Sequence, residues 1–140
     1  MSFPNPDGKT VAVIGSRSFA DRQMLNEFLT PRKGKIKLII SGGAKGADSL
    51  ATEWAGEHGV PYLVFPALWR DPETGKLDKG AGFRRNWHII DSCDMVLAFY
   101  DGVSRGTANS LDIAKKLGKP VQIIKFLPIE KVKESTQETL

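Results

Sequence analysis

Residues 41–55 read SGGAKGADSLATEWA, and the reading of this stretch decides the fold. Upstream, residues 36–40 (IKLII) are mostly apolar and β-branched, the pattern of a strand in a parallel sheet. Downstream, Ala47, Leu50, Ala51, Trp54 and Ala55 recur at the spacing of an amphipathic helix face. Between them, after Ser41, Gly42, Gly43, Ala44, Lys45 and Gly46 make a turn almost without side chains. Glycine accepts positive φ and lets a ligand or a neighbouring segment approach the backbone closely. The first amides of a helix have no internal partner and carry partial positive charge, so an anion fits there. Two readings stand: a phosphate cradle, or a turn whose glycines let helix and strand pack closely. The stretch matches neither GxxxxGK[ST] nor GxGxxG, so neither the P-loop nor the dinucleotide fingerprint chooses between them.

At 140 residues the chain is expected to form one domain, large enough to bury about two-thirds of its unfolded surface. A formal charge of +4 suits an anionic ligand but falls short of the dense basic stripe of a dedicated nucleic-acid binder. Cys93 is the single cysteine, so no intrachain disulfide forms and a reducing, cytoplasmic setting is expected. Two histidines and one cysteine, scattered, have no metal-ligand spacing, and no cofactor is expected. No apolar run has signal-peptide or membrane-span length, so no membrane partner is expected.

In chain order, residues 1–9 are a proline-containing arm. Residues 10–14 form a first strand that ends at Gly15, Ser16 and Arg17. Asp21 caps a helix whose buried face is Met24, Leu25, Phe28 and Leu29, stopped before Pro31. The strand–turn–helix of residues 36–58 follows, then a third strand at 61–65. Residues 67–82 are polar and turn-rich, a length that points to a lid, binding loop or flap. Phe83, Trp87 and Ile90 then show helical spacing, with Arg84, Arg85 and Asn86 opening the helix. A fourth strand at 95–99 runs into a second glycine turn carrying Asp101, Ser104, Gly106 and Thr107. Leu111, Ala114 and Leu117 carry a helix ended by Lys115, Lys116, Gly118 and Pro120, and residues 121–124 form the last strand. Residues 128–140 are a polar tail. Five strands alternating with four helices predict an α/β domain over residues 10–127, a doubly wound parallel sheet with helices on both faces. Ligands of such sheets bind beyond the strand carboxyl ends, where strand order reverses, and the unusual turns at Gly15, Ser41 and Asp101 all fall on that rim.

With GSRSF at 15–19, SGGAKGADSLATEWA at 41–55, Phe65-Pro66-Ala67 with Trp69, Gly82 through Arg85-Asn86, Asp94 and SRGT at 104–107, the chain resembles the SLOG superfamily. These Rossmann-like proteins are named for the DNA-processing DprA/Smf proteins and the LOG phosphoribohydrolases, and the match is nearest the small, single-domain YspA-like branch. The resemblance spans residues 11–124. It implies a nucleotide or nucleotide-derived ligand, with the glycine turns facing phosphate and ribose, and a homodimer or higher homo-oligomer. The DprA comparison implies single-stranded nucleic acid as an alternative that the mild charge does not favour. LOG enzymes carry PGGxGTxxE with a catalytic glutamate; here Ser110 stands at that position. A hydroxyl does not replace a carboxylate as acid–base group without a partner, which counts against that hydrolysis. A hydrolase using another carboxylate, Asp48 or Asp101, is the enzymatic alternative, and no catalytic residue is assigned.

On this reading Gly42, Gly43 and Gly46 offer amides to phosphate, serve close packing, or do both. Arg17 and Arg85 are the candidate clamps, because a guanidinium grips phosphate through its planar fork. Ser104, Gly106 and Thr107 repeat the logic at the fourth strand, with Thr107 equally readable as a helix cap. Asp48 accepts backbone or ribose hydrogen bonds. Trp69 is a candidate for stacking on a base or for anchoring its loop.

Overall fold

The computed structural model describes residues 8–43, 45–67 and 70–127. Five parallel strands, β1 (Lys9–Gly15), β2 (Ile36–Ser41), β3 (Tyr62–Val64), β4 (Met95–Tyr100) and β5 (Val121–Lys125), form one sheet in the order β3-β2-β1-β4-β5. Four helices connect them: α1 (Arg22–Leu29), α2 (Ala47–Glu57), α3 (Ala81–Ser92) and α4 (Arg105–Leu117). The chain first builds outward from β1 through β2 to β3. It then crosses back to lay β4 on the other side of β1, so strand order reverses between β1 and β4.

Period-two alternation in the strands sorts the core into two layers. Val11, Val13, Ile39, Leu97 and Phe99 face α1 and α2, where they meet Leu25, Leu29, Ala51 and Trp54. Ala12, Ile14, Ile40, Val96 and Ala98 face α3 and α4, where they meet Ile89, Ile90, Ile113 and Ala114. Each valine, leucine or isoleucine among them, fully buried, contributes about 1.5–3 kcal/mol relative to exposure. Helix ends follow local chemistry. Asp21 Oδ1 accepts the Met24 amide at 2.9 Å, which starts α1. Gly118, at φ +69°, ends α4 after Lys115 and Lys116. Pro31 does not stop the chain dead: Thr30–Lys35 continues as a short 3-10 helix, with the proline where its missing amide costs nothing.

Three local expectations change. β3 is shorter than 61–65 and exposed along its length, as befits an edge strand. The expected loop at 67–82 gives up its end to α3, which begins at Ala81. Its described part holds local structure: Arg70 and Leu77 form an antiparallel bridge, and Asp71 Oδ1 accepts the Glu73 and Thr74 amides. On α3 the buried residues are Ala81, Ile89 and Ile90, whereas Phe83 and Trp87 are 59% and 43% exposed. Their spacing marked the helix correctly but not its inner face, because aromatic side chains on a flank score the same as core ones. Trp54 is core as expected, and its indole donates to Thr30 Oγ1 at 3.2 Å.

Candidate ligand-binding cleft

At the switch point the β1 and β4 ends are stapled together. Gly15 lies opposite Phe99 in the register, and a Cβ there would stand 2.6 Å from the Phe99 carbonyl. The Ser16 amide donates to that same carbonyl at 3.0 Å. The buried Ser16 hydroxyl in turn accepts the Asp101 amide at 3.2 Å. Asp101 Oδ1 then receives the amides of Val103 (2.9 Å) and Ser104 (2.8 Å), a turn that aims the chain into α4. Burial alone would raise the Asp101 carboxyl. Hydrogen bonds from Val103, Ser104 and Ser16 outweigh it and hold the group below its ordinary value, so it is ionised at neutral pH.

Above this staple opens a cleft of about 470 Å³. From β1 and its turn come Gly15, Ser16, Arg17 and Ser18; from α2, Asp48; from α3, Arg85 and Asn86; from β4 and α4, Asp101, Ser104, Gly106 and Thr107. The volume is that of a small-ligand site. α4 presents its first turn without an acidic residue, and Ser104 makes no side-chain capping bond to it. Thr107 is not the helix cap; Ser104 holds that position, and the Thr107 hydroxyl donates to Ser104 Oγ at 3.3 Å. Arg17 is exposed and has no hydrogen-bond or ion-pair partner among the described residues. Arg85 is engaged: Nη1 donates to the Gly42 carbonyl at 2.7 Å and Nε to Asn86 Oδ1 at 3.1 Å.

Ser41, Gly42, Gly43 and Gly46, in the turn after β2, are not among the residues lining this cleft. Gly42 is held from both sides, its amide donating to Asp48 Oδ2 at 3.0 Å and its carbonyl accepting from Arg85. A Cβ on Gly43 (φ +72°) would meet Val64 Cγ1 at 2.7 Å, and one on Gly46 (φ +86°) would meet the Ser16 carbonyl at 2.4 Å. The α-carbons of these glycines are closely packed, as the second reading of the turn expects. The first turn of α2 also carries the buried Asp48. Ala44 and Trp69 lie outside the described residues.

The cleft adds residues absent from the sequence-derived site. Ile14 and Ile89 line it with apolar surface, Ser18 extends the β1 turn, and Ser110 faces it from α4. Helical phase carried the signal: Ile89 follows Arg85 by four residues and Ser110 follows Thr107 by three. No His, Cys, Asp and Glu cluster able to hold a metal occurs among the described residues. None of the described helices is long and apolar enough to cross a membrane.

A model of the YspA, cpYpsA-related SLOG family matches residues 9–71. The Gene 61 protein of Mycobacterium phage D29 is 33% identical over 118 residues, covering 81% of this chain and 94% of that protein. Among solved structures, DNA processing protein A (DprA) from Streptococcus pneumoniae matches with a TM-score of 0.72 at 18% identity. That match covers 98% of this chain and 56% of the other, so the chain spans little more than half of that protein. DNA processing protein A from Helicobacter pylori, whose structure describes its single-stranded DNA binding mode, gives 0.65 at 21%, covering 96% and 78%. Identities this low speak to the fold alone. The phage relative, matched along nearly its whole length, and the family model over β1 to β3 go further: the chain belongs to the YspA, cpYpsA-related family of the SLOG superfamily.

Proposed function

We propose that the cleft binds the phosphate of a nucleotide or nucleotide-derived ligand. One observation carries this reading: the uncapped first turn of α4 and the unpartnered Arg17 line the same cleft, where strand order reverses. In this reading phosphate sits against the amides of Gly106 and Thr107 and the Ser104 hydroxyl, with Arg17 opposite. Asp48 and Asp101 repel a phosphate and so face the sugar or base, where a carboxylate accepts hydroxyl or amine donors. The cleft is a binding and sensing site. Ser110 supplies no carboxylate for hydrolysis; a nucleotide hydrolase using Asp48 or Asp101 is the alternative that product analysis tests. Calorimetric titration with a panel of nucleotides, followed by product analysis of the same samples, decides the matter. Saturable binding without new products supports the reading, and the absence of binding by any phosphorylated nucleoside overturns it.

A second reading, single-stranded nucleic acid, draws on the fold shared with the Helicobacter pylori protein. A phosphodiester in the cleft would leave the flanking nucleotides outside it, so an oligonucleotide would bind more tightly than a mononucleotide and with a steep salt dependence. A homodimer belongs to the same proposal, with the exposed Phe83 and Trp87 of α3 as an unpartnered aromatic flank. Light scattering that returns only the monomer mass at high micromolar concentration would count against it.

A further inference from the structure

A second cavity of about 380 Å³ opens at the amino ends of β1, β2 and β4, the rim opposite the cleft. Its walls include the buried Leu29, Ile36 and Leu97, and the exposed Lys9, Arg32 and Lys35 line it as well. No acidic side chain is among its described lining residues. The cations are brought together by the fold. Lys9 pairs with Ile36 in the β1–β2 register, which sets it beside Lys35. Arg32 is fixed in place, its guanidinium 3.8 Å over the Phe28 ring and its Nη1 donating to the Phe28 carbonyl at 2.7 Å. Lys9 and Lys35 have no partner among the described residues. A largely apolar cavity beside three cations, with no acidic side chain among its described lining residues, is matched by a molecule with an apolar body and an anionic end.

We propose that this cavity is a second binding site, for a small free amphiphilic anion whose apolar tail of roughly eight to ten carbons fits a small-ligand pocket of this size. The tail lies against Leu29, Ile36 and Leu97, and the anionic head meets Lys9, Lys35 and the pre-oriented Arg32. This site stands apart from the phosphate reading of the cleft and does not depend on it.

Titration of the full chain with decanoate below its micelle concentration, followed by calorimetry, tests the proposal. Saturable binding of one decanoate per chain is expected. Octanoate should bind weaker on the order of tenfold, since each methylene contributes to transfer from water. Decanol, with the same tail and no charge, should bind weaker by about tenfold or more. Lys9→Glu with Lys35→Glu should weaken decanoate about tenfold or more and change decanol less than about twofold. If that pair fails to fold by thermal denaturation, Arg32→Gln serves in its place with the same expected direction. Several results overturn the proposal: no saturable uptake by the full chain, which would assign the cavity to its own residues 1–7 or leave it unused; equal affinity for decanoate and decanol; or binding to phosphatidylglycerol vesicles with none to free decanoate, which would make this rim a membrane contact.

Discussion

Arg85 and Gly42 meet in a contact with no room for a methyl group. Nη1 donates to the Gly42 carbonyl at 2.7 Å, and a Cβ on Gly42 would stand 2.6 Å from the same nitrogen. Asp48 holds the Gly42 amide on the other side, so this one residue ties the β2–α2 turn to α3. Gly42→Ala is expected to push the guanidinium aside, since the far end of a flexible side chain yields before backbone does. A hydrogen bond to a charged group contributes about 1.5–3 kcal/mol, and that is the expected loss of unfolding free energy in urea. Arg85→Ala removes the same bond, so the double variant should cost clearly less than the sum of the two. Strict additivity would show that the two residues act separately.

Arg17→Ala should weaken a phosphorylated nucleoside by about ten- to a hundredfold and leave the unphosphorylated nucleoside nearly unchanged. Lysine should restore only part of the loss, since it keeps the charge without the planar fork. Arg32 lines the opposite rim and Arg70 lies on the β3–α3 loop outside the cleft, so their alanine variants are the controls. Equal losses at all of these positions in calorimetry would reduce the clamp to diffuse charge.

Glycines within one helix and its entry turn should respond with opposite signs. At Gly46 an added Cβ meets backbone, the Ser16 carbonyl at 2.4 Å, at φ +86°. Gly46→Ala should therefore destabilise by roughly 1–3 kcal/mol or more. At Gly56, inside α2, nothing lies within 4 Å of the added atom. Gly56→Ala should stabilise by about 0.5–1 kcal/mol through helix propensity. Gly43→Val belongs with Gly46: its cost should appear as lost stability, because the space it would fill is held by Val64. Thermal midpoints of the three variants, measured without ligand, separate these outcomes.

Asp101 links the site to pH. Its folded pKa is lowered, so the unfolded chain binds that proton more readily. The stabilisation is therefore fully present above the unfolded value of about 3.9 and is lost as pH falls through the folded one. Asp101→Asn should lower the melting temperature at pH 7, and the gap to the wild type should narrow below about pH 4. A gap of the same size at pH 3 and pH 7 would remove the carboxylate charge from this role.

The sheet was legible because alternating apolar strands and periodic helices are local signals. The rim was legible because Gly15 and Ser41 end their strands and Asp101 directly follows one. The packing around the first glycine turn was not. SGGAKG reads as a row of open backbone, yet the α-carbons of Gly42 and Gly46 are packed against Arg85 and the Ser16 backbone. Those groups lie 43 residues away in the first case and on another strand end in the second, so no window of sequence contains them. Phe83 and Trp87 failed for a related reason: which flank of a helix is covered depends on what packs against it.

The hydrogen bond between the Asp101 amide and Ser16 Oγ closes a loop of 85 residues. Contacts between residues so far apart in sequence carry a loop-closure cost, and this one requires β4 and the entry to α4 to be in place. An incomplete chain that has laid down β1 to β3 already owns the glycine turn but lacks the Asp101 and α4 half of the site. A ligand of the cleft would thus ignore nascent and partly folded forms and draw the population toward the finished fold by mass action. Affinity for that ligand would then count finished molecules, separating them from chains that have only begun.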